Sequence, residues 1–436
     1  MARARPCGTT CCCPFERNQR IVQTDGGLRI TARWGIDQGD KFMNRSTSKT
    51  LRTIVALALG AGVLAGAARA QVKIGFSGVM SGPVGILGQE QYDGFMLGLE
   101  LLQGKLGGQA TTVLKEDDQL RPETGNQIVR KYIEKDKVDA LVGLGFTNVL
   151  MASLPLIAES GIPSLATNAG PSAVAGGSCK ANLFTLAWQS DGPSEGMGSY
   201  LNTRSHKKVF LLAPNYQAGR DMLNGFKRFY KGQIAEEIYT PLNQPDYSAE
   251  IAQIQASGAD AVFFFYSGGM GINFIRQMQQ AGLAGKIPMY SVFTVDATTI
   301  PALKEQAVGM VTSALWDASL DNPASRRFVS AFEAKYKRTP SLYAAAGFDA
   351  ANLLDAAVKQ VGNKVSDHKA LNAAIKSAGK SFASVRGSFA FNNNNMPIQN
   401  YYIFQGVKNG EKVEMKSIAT ALSTHKDIYG KDCPLK

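Results

Sequence analysis

From Val72 onward the chain alternates short apolar runs with longer segments of helical period, a pattern that commits it to βαβ units and a largely parallel sheet. Strands are predicted at residues 72–76, 112–116, 140–144 and 163–166, with helices near 89–102, 122–135 and 149–159. These make one doubly wound unit. A second follows, with strands at 209–213, 237–240, 261–266, 288–292 and 310–315 and helices near 193–201, 218–230, 247–256, 272–281 and 301–306. Two long Ala-rich helices come next, at 323–337 and 343–361, then a shorter one near 370–377 and strand-like runs at 387–391 and 400–407. A length of 436 residues exceeds what one core usually supports, so two domains are expected. The first unit has few helices of its own, which hints that the chain returns to it after the second.

The formal charge of +12 invites a polyanion as partner only if it belongs to the folded body. Met43 begins a basic stretch with Arg45, Lys49 and Arg52, followed by an uncharged apolar run over 54–68 and the small-residue close Ala68-Arg69-Ala70. That is the layout of a secretory signal, and the run falls short of the about 20 apolar residues that span a bilayer. Residues 43–70 are therefore expected to be cleaved after Ala70, placing the mature protein in the periplasm. No Cys stands at the cleavage point to carry a lipid. Residues 1–42 hold Cys7, Cys11, Cys12 and Cys13 with no apolar period and no second Cys/His pair at metal spacing, and read as an extension upstream of the true start. Residues 1–70 carry 11 basic and 4 acidic side chains, leaving 36 and 31 and a mature charge of +5. Nucleic acid is not expected as a partner. Cys179 and Cys433 alone remain, an even count in an oxidising compartment, and a disulfide between them is predicted.

The body is poor in catalytic signatures. His206, His368 and His425 sit among polar or charged neighbours, none with a partner at metal-ligand spacing. No G-x-S-x-G elbow and no G-x-x-x-x-G-K-[ST] loop occurs. Gly269-x-Gly271 opens a helix as a dinucleotide fingerprint would, but Phe274 stands at the third glycine. Glu116-Asp117-Asp118 ends a strand where carboxylates commonly cap a loop. No enzyme, cofactor or metal is expected. What remains is a set of polar and aromatic loops at the C-terminal ends of strands, where open α/β sheets bind ligands. They are Ser81-Gly82-Pro83, Phe146-Thr147-Asn148, Asn168-Ala169-Gly170, Asn215-Tyr216, Ser267-Gly268-Gly269 and Phe293-Thr294. Several lead straight into a helix, whose free N–H groups favour a small anion.

The stretches VKIGFSGVMSGPVGILGQEQYDGF, VLKEDDQLRPE, VDALVGLGFTNVLMASLPLIAESGIPSLATNAGPS, VFLLAPNYQAGRD, DYSAEIAQIQASGADAVFFFYSGGMGINFIRQMQQAGL and TPSLYAAAGFDAANLL occur in that order. Across residues 71–405 the chain resembles the type I periplasmic solute-binding proteins of the leucine/isoleucine/valine-binding family, receptors for ABC importers. The resemblance implies an α/β fold of two doubly wound parallel-sheet lobes joined by a hinge of three crossovers. Residues 71–189 plus 317–400 would form the first lobe, and 190–316 plus 401–436 the second lobe and tail. It also implies a small-molecule ligand, an inner-membrane permease as partner, and a monomer.

Amino-acid-binding members hold the α-carboxylate with two first-lobe loops, which match Phe146-Thr147-Asn148 and Asn168-Ala169-Gly170 here. They hold the α-ammonium with a second-lobe acid, at the position matched by Phe293. A buried ammonium without a counter-charge costs several kcal/mol, so the aromatic ring there argues against an amino acid unless Asp296 substitutes. The sequence looks closest to the branch associated with benzoate- or hydroxycinnamate-type acids. Trp188 and Trp316 lie at expected crossovers and Tyr216 at an aromatic wall position, where rings would stack on a ligand or pack the hinge. Ser81, Ser267 and Gly268 complete the expected ligand-binding set. The alternatives are a branched-chain or other hydrophobic amino-acid receptor, or a sensor subunit on the same fold.

Overall fold

The computed structural model describes residues 71–435, so the leader and upstream readings fall outside the described residues. The first sheet is built from β1 (Val72–Gly78), α1 (Gly85–Leu101), β2 (Lys105–Leu106), β3 (Gln109–Asp117), α2 (Pro122–Lys131), β4 (Ala140–Gly143), α3 (Thr147–Ser160), β5 (Ser164–Ala166), α4 (Ser172–Ala175) and β6 (Leu183–Thr185). Its strand order is β2-β3-β1-β4-β5-β6, parallel throughout except for the short edge strand β2. The order reverses at β1, which has β3 on one side and β4 on the other. Such a reversal opens a crevice beyond the strand ends.

The second sheet follows through α5 (Gly192–Leu201), β7 (Lys208–Pro214), α6 (Gln217–Phe229), β8 (Gln233–Thr240), α7 (Ser248–Ala256), β9 (Ala261–Phe264), α8 (Gly269–Gln280), β10 (Met289–Val292), α9 (Ile300–Leu303) and β11 (Val311–Ala314). The chain then runs through α10 (Pro323–Tyr336), α11 (Leu342–Val361), α12 (His368–Ala378), β12 (Ala390–Phe391), β13 (Pro397–Asn409) and β14 (Lys412–His425). The order β12-β13-β11-β10-β9-β7-β8, with β14 outside β13, reverses at β7. β13 lies antiparallel to both β11 and β14. Every residue of β4, β9, β10 and β11 is buried, as expected for parallel strands covered on both faces.

Boundaries shift where local geometry intervenes. The strand predicted at 140–144 ends at Gly143 because Leu144 takes a left-handed φ of 47°. The helix predicted over 122–135 is α-helical only to Lys131 and finishes as a π-turn, Tyr132–Asp136. The predicted strand 261–266 stops at Phe264, which frees Phe265 for the loop beyond.

The late helices are built onto the first sheet. A Cβ on Gly94 of α1 would stand 1.9 Å from the Ala344 carbonyl oxygen, and one on Gly347 of α11 would stand 2.0 Å from that of Gln91. Only glycine lets the two helix backbones touch there. Arg338 donates to Glu90 at 2.7 Å and to Asp93 at 2.6 Å, while the Ser341 hydroxyl donates to Glu90 at 2.7 Å. The chain thus passes between the sheets three times: after β6, after β11, and between α12 and β13.

One buried group links two of these passages. Arg386 pairs with Asp349 at 3.1 Å and donates to the Ala187 carbonyl at 3.0 Å and to Gln399 at 2.9 Å. Gln399 also donates to the Ala187 carbonyl, at 3.0 Å. The first and third passages are therefore pinned to each other beside Trp188.

Cys179 and Cys433 are disulfide-bonded, 254 positions apart. The tail also accepts a hydrogen bond at the Gly430 carbonyl from Asn393 (2.7 Å) and donates from the Tyr429 hydroxyl to Asp191 (2.7 Å). Closing so long a loop restricts the unfolded chain, so Cys179→Ser is expected to cost about 2–4 kcal/mol in denaturant unfolding. An unchanged midpoint would mean that the tail's polar contacts hold it unaided.

Candidate ligand-binding cleft

The C-terminal ends of β4, β5, β7, β9 and β10 face one crevice between the sheets. After β4, Phe146 is extended and α3 begins at Thr147, with Leu150 N–H making the first helical bond back to Phe146. The N–H groups of Thr147, Asn148 and Val149 thus lack intrahelical acceptors. After β5, Asn168 donates to the Gly145 carbonyl at 2.6 Å, and Gly170 presses on the first passage. A Cβ there would stand 1.8 Å from the Trp188 carbonyl oxygen, and the Gly170 carbonyl accepts from Ser190 N–H at 2.8 Å. This loop and the strap carrying Trp188 and Ser190 therefore form one unit.

A cavity of about 20 Å³ remains at the centre, room for a single water molecule. Of the predicted residues, Phe146, Thr147, Asn168, Trp188, Tyr216, Ser267 and Phe293 line it. The Trp188 and Phe293 rings stack at 4.1 Å, and Tyr343 meets Trp188 edge-on at 6.1 Å. Tyr216 stacks on Phe265 at 6.4 Å. Phe293 holds a left-handed φ of 56°, a conformation a bulky residue rarely adopts, so the loop after β10 is bent to bring this ring inward. Ligand entry requires the sheets to part, since the rings fill the space between them.

The remaining predicted residues stand elsewhere. Ser81 is exposed in the turn after β1, next to Met80, whose N–H donates to Asp117 at 2.8 Å. Asn148 turns away and donates to the Leu120 carbonyl at 3.2 Å. Ala169 is buried beneath its loop, and Gly170 serves the strap contact above. Gly268, at a φ of 58°, packs on Pro83, whose carbonyl accepts from Gly269 N–H at 3.2 Å. Trp316 lies in the core against Phe328 and donates to Ser325 at 3.1 Å.

The lining also includes Leu87, Gly145, Ser190, Ala218, Met222, Phe265 and Tyr343, which sequence reasoning did not single out. Leu87, Ala218, Met222 and Tyr343 project from helices, where helical period marks an apolar residue only as core. Ser190 has a clearer signal, since it lies in the first passage between the sheets, two residues beyond Trp188. The hydroxyls of Thr147, Ser190, Tyr216, Ser267 and Tyr343 make no hydrogen bond to protein among the described residues. Burial pushes the Tyr216 and Tyr343 phenols well above their ordinary range, so both remain neutral donors.

No charged side chain lines this cavity. Asp296 faces a separate void of about 10 Å³ with Trp316 and Asp317, and the Phe293 ring stands between the two. Its Oδ1 accepts from Thr298 N–H and hydroxyl at 2.7 and 2.6 Å, and its Oδ2 has no partner. Burial, against the Thr298 bonds and aided by Glu90 and Asp317, pushes this carboxyl up to about 6. In this geometry Asp296 does not supply a counter-charge to the cleft.

The halves touch across the crevice. Asp221 on α6 accepts from Ser172 N–H at 2.9 Å and from its hydroxyl at 2.7 Å. With the Gly269–Pro83 bond this closes both sides of the cleft.

Comparison with known proteins accounts for this architecture. The profile of the periplasmic binding protein family matches residues 71–411. The chain belongs to that family. It is an exported solute-binding component of an ABC transporter, a receptor that delivers a small molecule to a permease rather than an enzyme. The Leu/Ile/Val-binding protein homolog 6 of Brucella melitensis is 27% identical over 349 residues, covering 77% of this chain and 88% of that relative. A solute-binding protein of R. palustris, solved in complex with benzoate, superposes with a TM-score of 0.78 at 31% identity, covering 82% of this chain and 98% of that one. Another, from Rhodopseudomonas palustris BisB5 in complex with 3,4-dihydroxybenzoic acid, superposes at 0.77 with 26% identity over 82% and 99%.

Proposed function

We propose that this receptor captures a small aromatic carboxylate of benzoate or hydroxycinnamate type, as a monomer, by closure of the two lobes over it. The observation that carries the reading is the composition of the cleft wall: six aromatic rings and five hydroxyls without protein partners, with no acidic side chain. Such a wall stacks on a ring and donates to a carboxylate, but leaves an α-ammonium uncompensated. Thr147 and the open N–H groups of α3 provide the carboxylate end. Trp188, Tyr216 and Phe293 provide the ring's walls. The benzoate and dihydroxybenzoate bound by the two structural relatives support the same class.

The test uses the mature protein from Gln71, whose two remaining tryptophans are Trp188 and Trp316. Titration with benzoate or 4-hydroxycinnamate is expected to change tryptophan emission. At a hundredfold excess over Kd the ligand should add about 2.7 kcal/mol of stability. Stabilisation by leucine or valine, with none by the aromatic acids, refutes the assignment and favours the amino-acid reading.

A further inference from the structure

A second cavity, of about 530 Å³, lies on the second sheet at the edge opposite the cleft. Its residues come from the beginnings of β10 and β11, Met289, Tyr290 and Val311, whereas the cleft uses the loops beyond the strands' ends. The length of β10 separates the two by roughly 13 Å. The volume falls within the range of small-molecule sites.

Its chemistry is divided. The floor is apolar, with Ile275, Ile287, Met289 and Met310, and Val308 on the rim is 42% exposed. At one end the Arg204 guanidinium lies over the Tyr200 ring at 4.5 Å. Arg204 has no carboxylate within ion-pair distance among the described residues, while the one acidic lining residue, Glu305, is bonded to Lys408 at 2.8 Å. The Tyr290 hydroxyl is held by His206 Nε2 at 2.8 Å, which fixes an aromatic wall near the cation. Arg204 also donates to the Tyr200 hydroxyl, which leaves its charge unpaired and other N–H groups open; such a cation beside an apolar trough complements an anion with an apolar body. We infer that this cavity is a second ligand site, which takes a small amphipathic anion with its carboxylate or sulfonate on Arg204 and its ring or short chain on Met289, Met310 and Val308. The inference does not depend on the cleft's ligand.

The probe is 1-anilinonaphthalene-8-sulfonate, followed by its fluorescence, with octanoate as competitor. The mature protein is expected to bind the dye at one site, octanoate to displace it, and excess benzoate to leave it bound. Arg204→Glu and Val308→Glu alter exposed side chains outside the cleft, and each should weaken dye binding at least tenfold while sparing any benzoate response. The inference is overturned by absent dye binding, by affinity unchanged in both variants, or by displacement with benzoate. A dimer in light scattering that Val308→Glu dissociates would assign the trough to a second copy and also overturn it. Failure of benzoate to bind at all bears on the cleft alone, because the Arg204 comparison still reads the second site.

Discussion

Phe293→Asp is expected to lower benzoate affinity at least a hundredfold while leaving the fold intact. The ring stacks on Trp188 and separates the cleft from the void that holds Asp296. Removing it forfeits about 1.5–3 kcal/mol of apolar burial and a further 0.5–1.5 kcal/mol of ring stacking. It also sets a carboxylate against the ligand's own. The backbone does not oppose the change, since aspartate accepts a left-handed φ more readily than phenylalanine. The new carboxylate would stand where the resemblance to amino-acid-binding members implies an acid for the α-ammonium, so the same variant should gain measurable leucine binding. Calorimetry of the purified variant with both ligands reads both effects. Benzoate affinity within threefold of the parent would remove Phe293 from the binding wall.

Asp349→Ala is expected to be the most damaging single change to stability, by about 3–5 kcal/mol. The carboxylate is fully buried and accepts from the Ser384 hydroxyl at 2.6 Å, Val385 N–H at 3.0 Å and Arg386 Nε at 3.1 Å. Without it Arg386 remains as a buried cation, one of whose terminal nitrogens already has no partner. Replacing one member of such a pair costs far more than the pair itself contributes. The melting temperature should fall by the order of 5–10 °C. Because Arg386 also fixes the Ala187 carbonyl next to Trp188, the variant should bind ligand more weakly even where it is folded. A variant that melts with the parent would show that the guanidinium finds another partner or water.

The parallel sheets are legible in the sequence because their strands are buried on both faces and read as unbroken apolar runs between helical periods. β6 is not, since three residues following a polar loop carry no period. β14 is missed for a different reason. It lies on the outer side of β13 with Met415 its only fully buried residue, and shifts in the β13 register disturb its alternation. The strand-end loops are legible because parallel strands deliver their C-terminal ends to one edge, and six of the residues expected in those loops line the cavity, with Trp188 added from the first crossover. Side-chain direction is not legible. Asn148 sits one residue from Thr147 yet points to Leu120 instead of the cleft, and Gly268 serves a backbone contact across it. Tyr343 reaches the cavity only through the docking of α11 on α1, a relation between distant segments that Gly94 and Gly347 permit but do not announce.

The Cys179–Cys433 bond also sets an order of events. Its partners are 254 positions apart, and β14, the last strand, ends before the second cysteine. The cross-link therefore cannot close until every strand of both sheets has been delivered to the oxidising side of the membrane. Protein held back in the reducing cytoplasm keeps both thiols and an unfastened tail. The bond can close only after export, so molecules held back are expected to carry Cys179 and Cys433 as free thiols.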